Sequence, residues 1–307
     1  MITVADRRSG PAVSPGTVAG RWRAIGTPVR VIQVYTVLLI LIPPTQIIKP
    51  LGAVGTPASV IGLVALLHWA VAVLTPDDGL ARTVVPVRVV VGLLAATVLV
   101  RYAILHVGYV TVDSLLASDR IVLAVFSWAG VALLAAEGLQ DRAELNRVLR
   151  TFVVAVAAMA VVGFLQFRAG IDLATYPKRI PGLYENVDLV TIQDRAGFRR
   201  PSGTATHPIE FGCVIAMAMP LALHAGRFDT TRSRARRWLP LAMIAIGIPV
   251  AVSRSAILGA VVAGIVIFLG LEPRARPRAL VSVAGFLAVI YATTPGLLGT
   301  LRGFFLS

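Results

Sequence analysis

Polar residues punctuate this chain, and between them run apolar stretches of about 16–27 residues along its whole length. An α-helix rises 1.5 Å per residue, so about 20 apolar residues cross a hydrocarbon core of about 30 Å. Nine stretches fit: Val31–Ile48, Thr56–Leu74, Val87–Leu105, Ile121–Ala136, Thr151–Phe167, Pro208–Gly226, Trp238–Val252, Ser255–Leu271 and Ala279–Thr294. A β-barrel would show strands of about ten residues with alternating polarity instead of continuous apolar runs. The pattern predicts an all-α polytopic membrane protein with about nine transmembrane helices, no inserted soluble domain and no internal repeat.

Composition agrees: 57% of the 307 residues are hydrophobic, only 14% are charged, and the mean hydropathy is +0.82. The net charge of +14 is mostly arginine. In a membrane protein such charge reads first as an orientation signal, not as nucleic-acid binding. Residues 1–28, rich in Pro, Gly, Ser and Arg, read as a disordered basic cytoplasmic tail. They hold no apolar core of a cleaved signal peptide, so the first span is expected to serve for targeting. Arginines gather in that tail, at Arg142–Arg150, at Arg227–Arg237 and at Arg274–Arg278, and nine spans place all four groups on the cytoplasmic side.

One choice decides the count. Read as a single helix, residues 238–271 would be about 50 Å long, too long for the bilayer core, and would put two arginine groups on opposite sides. Two spans joined by a tight turn at Ser253-Arg254-Ser255 keep both groups inside and put Arg254 at the outer face. The organisation expected is then a tail (1–28), five spans (29–167), an external basic loop (168–207), four spans (208–297) and the start of a second external loop (298–307). Cys213 is the chain's one cysteine, so no disulfide forms within it.

The external loop carries six cations, Arg168, Lys178, Arg179, Arg195, Arg199 and Arg200, against Asp172, Glu185, Asp188 and Asp194. Either the loop merely tolerates the excess, or it binds something anionic. Its end, GFRRPSGTATHPIEFG from Gly197 to Gly212, concentrates suitable chemistry. Arg199 and Arg200 offer planar donor forks matched to phosphate oxygens. Gly203 allows close backbone approach. Thr204 follows, Pro208 suits a first helical turn, and Glu210 can reach back to cap it. A helix N-terminus is itself favourable to anions. Each residue also has a plainer reading: the arginines as interfacial anchors, His207 as an N-cap, Glu210 as a structural cap. Arg254, flanked by two apolar spans, is costly at membrane depth unless it is paired or functional. Arg101 and Lys49 fit the outer interface, and His68, Trp69 and Trp128 fit packing or an aromatic belt. No HExxH, CxxC, phosphate-loop or GxSxG motif is present, and the acidic residues do not group as metal ligands.

The ordered pair RPSGTATHPIEFG (200–212) and VSRSAIL (252–258) resembles the O-antigen ligase and polymerase family. Its first motif, Arg-x-x-Gly-Thr-x-x-His/Asn-Pro-Asn, is matched at Arg200, Gly203, Thr204, His207 and Pro208, with Ile209 in place of the asparagine. Its second, Ser-Arg-Gly/Ala, is matched at Ser253 and Arg254, with Ser255 in the small-residue position. The resemblance implies transfer of a glycan from a polyprenyl diphosphate carrier to a lipid or glycan acceptor at the external face of the inner membrane. It implies neither metal nor cofactor, and makes Arg200 and Arg254 diphosphate ligands. The family's catalytic histidine lies in a later external loop, so His207 and Glu210 are weak candidates for the base and the chain is expected to be truncated at Ser307. Two other classes stay open on the residues alone: a small-anion transporter and a non-catalytic fragment.

Overall fold

The computed structural model describes residues 28–74, 86–108, 111–187, 192–195 and 198–293. The tail and the second external loop expected over 1–28 and 298–307 lie outside these residues, apart from Pro28. The described residues form nine α-helices: α1 (Pro28–Leu41), α2 (Pro57–Leu74), α3 (Pro86–Val107), α4 (Val112–Gly138), α5 (Arg142–Ala169), α6 (Pro208–Phe228), α7 (Arg234–Val250), α8 (Arg254–Gly270) and α9 (Arg276–Thr293). Five of them, α2 to α6, are long and apolar enough to cross a membrane, and α1 and α8 are shorter apolar helices. The chain has the architecture of an α-helical membrane protein.

Each of the nine apolar stretches overlaps one of these helices, but their ends differ from the expected ones. The first helix stops at Leu41, and Gln46–Ile48 forms strand β1. The cause is Pro43-Pro44, because proline lacks the N–H that would continue the helix and excludes helical backbone from the residue before it. Helices α4 and α5 extend well beyond their apolar stretches, through polar turns at Asp113–Arg120 and Arg142–Arg150. The long run at 238–271 breaks between Val250 and Arg254, two residues before the expected turn.

The described residues fall into two compact units. The first runs up to Tyr35 and resumes over Ser59–Leu145. In it α2 and α4 cross through small residues: a Cβ added at Gly62 would lie 1.9 Å from Ser127 Oγ, and one at Gly130 would lie 2.5 Å from the Gly62 carbonyl oxygen. Backbones approach this closely only without side chains between them, as is common where membrane helices meet. Helix α3 lies antiparallel to α4, joined by the bidentate Arg88–Glu137 pair, both bonds 2.6 Å, at one end and by Tyr102 Oη donating to Asp119 at 2.8 Å near the other.

The second unit comprises Thr36–Ala58 and the chain from Asn146 onward. Its core gathers Val156, Met159, Phe211, Ile215, Ile244 and Ala256. Steric contacts give the helix directions. Gly163 of α5 faces Phe211 of α6, while Arg150 pairs with Asp229 just past the other end of α6, so α5 and α6 are antiparallel. Gly226 of α6 faces Trp238 of α7, and Gly247 faces Ile215, so α6 and α7 are antiparallel as well. Gly212 faces Ala256 and Ala216 faces Gly259, so α6 and α8 run the same way. The C-termini of α5 and α7 therefore share an end with the N-termini of α6 and α8.

That end carries the segment expected to be a loop, and it has structure of its own. A 3-10 helix covers Leu173–Arg179, followed by β2 (Leu183–Glu185), β3 (Ile192–Arg195) and β4 (Phe198–Pro201). Strand β2 pairs antiparallel with β1, Ile47 opposite Tyr184, and β3 pairs antiparallel with β4, Gln193 opposite Arg200.

Candidate functional site

Strand alternation separates the two adjacent arginines of β4: Arg199 is exposed, whereas Arg200 is 7% exposed. The Arg199 guanidinium lies over Gly170, close enough that a Cβ added there would be 3.2 Å from Nη1. Gly170 has a φ of +69°, a backbone that glycine adopts without cost. After β4 the chain turns inward. Pro201 and Ser202 are buried, Ala205 N–H donates to the Ser202 carbonyl at 3.0 Å, and Gly203 takes a φ of +62°.

Gln166 of α5, fully buried, fixes this turn. Its Oε1 accepts from the Gly203 N–H at 2.8 Å and its Nε2 donates to the Gly203 carbonyl at 3.0 Å. The same Nε2 donates to Asp172 Oδ1 at 2.8 Å, and that oxygen caps the 3-10 helix through the Ala174 N–H. One side-chain amide thus satisfies both backbone groups of a buried glycine, which would each cost about 1–3 kcal/mol if left alone. Thr204, also buried, donates its hydroxyl to the Ile40 carbonyl in the last turn of α1. Gln166, Ser202 and Ile40 were not singled out from the sequence. Gln166 sits at the end of an apolar span, and its partner is 37 residues away.

His207 and Glu210 both work at the start of α6. His207 is the N-cap, and its Nδ1 accepts from the Ile209 N–H at 3.2 Å. Accepting at Nδ1 places the neutral ring's proton on Nε2, so the lone pair that a base would use is engaged. Glu210 Oε2 accepts from the Thr206 hydroxyl at 2.6 Å and from its N–H at 3.1 Å, as a capping carboxylate does. The plainer capping readings thus describe both contacts. Glu210 is exposed, and its Oε1 accepts no hydrogen bond from a described residue.

The second motif opens α8. Ser253 is buried and shares a hydrogen bond with Ser255, Oγ to Oγ 2.9 Å, and Arg254 is the exposed first residue of the helix. Just before them Val252 is held at a φ of +45°. A β-branched side chain avoids this left-handed region, where residues are strained by about 1–3 kcal/mol and persist only when their surroundings impose it. The Val252 N–H bonds to the Pro249 carbonyl at 3.2 Å and the residue is fully buried, which locks the bend.

The fold brings Arg199, Arg200, Gly203, Thr204, Ser253 and Arg254 to the same end of the second unit. Two helices also present N-termini there, adding partial positive charge to that of the guanidinium groups. Among the described residues, no group of three His, Cys, Asp or Glu is arranged to hold a metal ion. Fold and site together describe an α-helical membrane protein in which the turn after the buried Arg200 leads into α6, at the end of the second unit where α8 also begins. No protein-family model, curated protein or solved structure matches the chain.

Proposed function

We propose that this chain is a membrane glycan transferase of the kind the O-antigen ligase and polymerase motifs imply, acting at the external face of the inner membrane. A polyprenyl diphosphate-linked glycan is the donor, and a lipid or glycan hydroxyl is the acceptor. The acceptor oxygen bonds to the anomeric carbon, the carbon–oxygen bond to phosphate breaks, and the diphosphate departs with the electron pair. The hydroxyl proton passes to a base. Negative charge develops on the leaving group, so the catalytic need is for preorganised donors and cations. Arg200 and Arg254 supply these, supported by Arg199, the turn at Gly203–Thr204 and Ser253. Glu210, in the first turn of α6, keeps one carboxylate oxygen that accepts no hydrogen bond from a described residue.

The observation that carries this reading is the parallel packing of α6 on α8 through Gly212 and Ala256, which gives both motifs the same end of the bundle. The test is transfer of a labelled glycan from a polyprenyl diphosphate donor by the purified protein in liposomes. Arg254→Ala and Arg200→Lys are each expected to lower transfer by about 100-fold or more, the loss typical of one missing transition-state donor. Both variants should insert normally, as read by gel filtration. Unchanged transfer in both would remove the site assignment. Anion flux through the wild-type protein, without donor binding, would favour a transporter.

A further inference from the structure

A second basic and aromatic feature lies on the same unit, built from residues that the proposed reaction does not use. The 3-10 helix ends at Arg179, and the chain then makes a tight turn. Leu183 N–H donates to the Ile180 carbonyl at 3.1 Å, with Pro181 and Gly182 as the central residues and Gly182 at a φ of +91°. This is the type II arrangement that proline followed by glycine favours, so the turn is stiff. Lys178 and Glu185 close it with an ion pair. The residues from Lys178 to Glu185 line an open cavity of about 330 Å³. That is too large for a single phosphate and within the usual size of small-ligand sites.

Besides Lys178, two cations sit on aromatic rings here: Lys49 Nζ lies 4.5 Å from the ring centre of the lining residue Tyr184, and the guanidinium of Arg179, itself a lining residue, lies 4.8 Å from that of Tyr176. Such contacts use the ring face and leave N–H groups pointing outward. Among the described residues neither cation has a carboxylate partner. Among the described residues, the cavity lining and Lys49 together thus hold three cations and one carboxylate. Around them Tyr176, Ile180, Tyr184 and Val187 are each about half exposed, at the end of a helix long enough to cross a membrane. Half-exposed tyrosines and aliphatics mixed with Lys and Arg match the headgroup layer, where one side of an element is apolar and the other wet.

We propose that this turn is a binding site for the headgroup of an anionic phospholipid. Lys49 and Arg179 would hold the phosphate, the Lys178–Glu185 bridge would shape the cavity for the rest of the headgroup, and the exposed apolar side chains would contact the acyl chains. The site is distinct from the Arg200–Arg254 site and does not depend on the transferase reading.

The full chain in detergent is titrated with phosphatidylglycerol or phosphatidylcholine, and bound lipid is counted by native mass spectrometry. The wild-type protein is expected to retain one phosphatidylglycerol preferentially, and Lys49→Gln/Arg179→Gln to bind it at least tenfold more weakly. Arg232→Gln, in another loop, should leave this binding unchanged. Equal retention of the two lipids, or no loss in the double variant, would overturn the proposal. A photoactivatable phosphatidylglycerol provides a readout on the wild-type chain, so misfolding of a variant cannot decide the result. Adducts are expected within residues 171–187 or beside Lys49, and adducts confined to other segments would overturn the site. Polyprenyl phosphate in place of phosphatidylglycerol, or a soluble phosphorylated oligosaccharide, separates other sources of phosphate. Stronger binding of either than of phosphatidylglycerol would also overturn it.

Discussion

Gly203 shows how narrowly the candidate site is cut. Its left-handed backbone would cost an alanine about 1–2 kcal/mol. In addition, the new Cβ would lie 2.8 Å from the Phe211 ring and 3.3 Å from Met159 Cγ, where overpacking costs about 1–3 kcal/mol more. Gly182 has a similar constraint, φ +91°, but nothing within 4 Å of an added Cβ. Gly203→Ala is therefore expected to lower unfolding stability in detergent by at least about 2 kcal/mol, and Gly182→Ala by no more than the backbone term of about 1–2 kcal/mol. Equal effects would show that the Phe211 contact is not tight. The glycine itself was legible in the sequence as a point of close backbone approach. What approaches it was not, because Phe211 and Gln166 reach it from two different helices.

The junctions between helices in the second unit rest on single small or charged residues. A Cβ added at Gly212 would lie 2.5 Å from that of Ala256, so Gly212→Ala should cost about 1–3 kcal/mol. Moving the methyl instead of adding one, with Gly212→Ala and Ala256→Gly together, should recover most of the loss. A double-mutant cycle on thermal unfolding reads that coupling. At the opposite end of α6, Asp229 holds Arg150 at 2.7 Å and accepts from Thr231 Oγ1 at 2.5 Å. The Thr231 hydrogen bond, then the nearby Arg150 and Arg232 charges, keep the Asp229 carboxyl below its ordinary value of 3.8. A lowered folded-state pKa stabilises above the unfolded value and is lost as pH falls through the folded one. The stability gap between wild type and Asp229→Asn should thus stay constant from pH 7 to 5 and close only below about 3.8. Helices were the readable part of the fold, since unbroken apolar runs impose them locally. The two β-ribbons were not readable: β1 pairs with β2 across more than 130 residues, and Tyr184 opposite Ile47 leaves no local trace.

For the whole molecule, the placement of the arginine groups predicts that the segment around residue 178 and the loop around residue 232 lie on opposite sides of the membrane. In a Cys213→Ser background, a cysteine at residue 178 and one at residue 232 should react with a membrane-impermeant thiol reagent from opposite sides of sealed vesicles. Labelling from the same side would remove the nine-span topology and the external placement of the candidate site with it. The Thr204 hydroxyl bound to the Ile40 carbonyl has a consequence for synthesis. Its partners are 164 residues apart in the chain. At about 5–20 residues per second, a ribosome takes roughly 10–30 s to reach Thr204 after making Ile40. For that interval the end of α1 must wait in the translocation machinery or the lipid with one carbonyl unclaimed by this partner. The arginine turn is thus set late in biogenesis, after five helices have been delivered, and a chain released before that moment would carry its first helix without the hydroxyl that caps it.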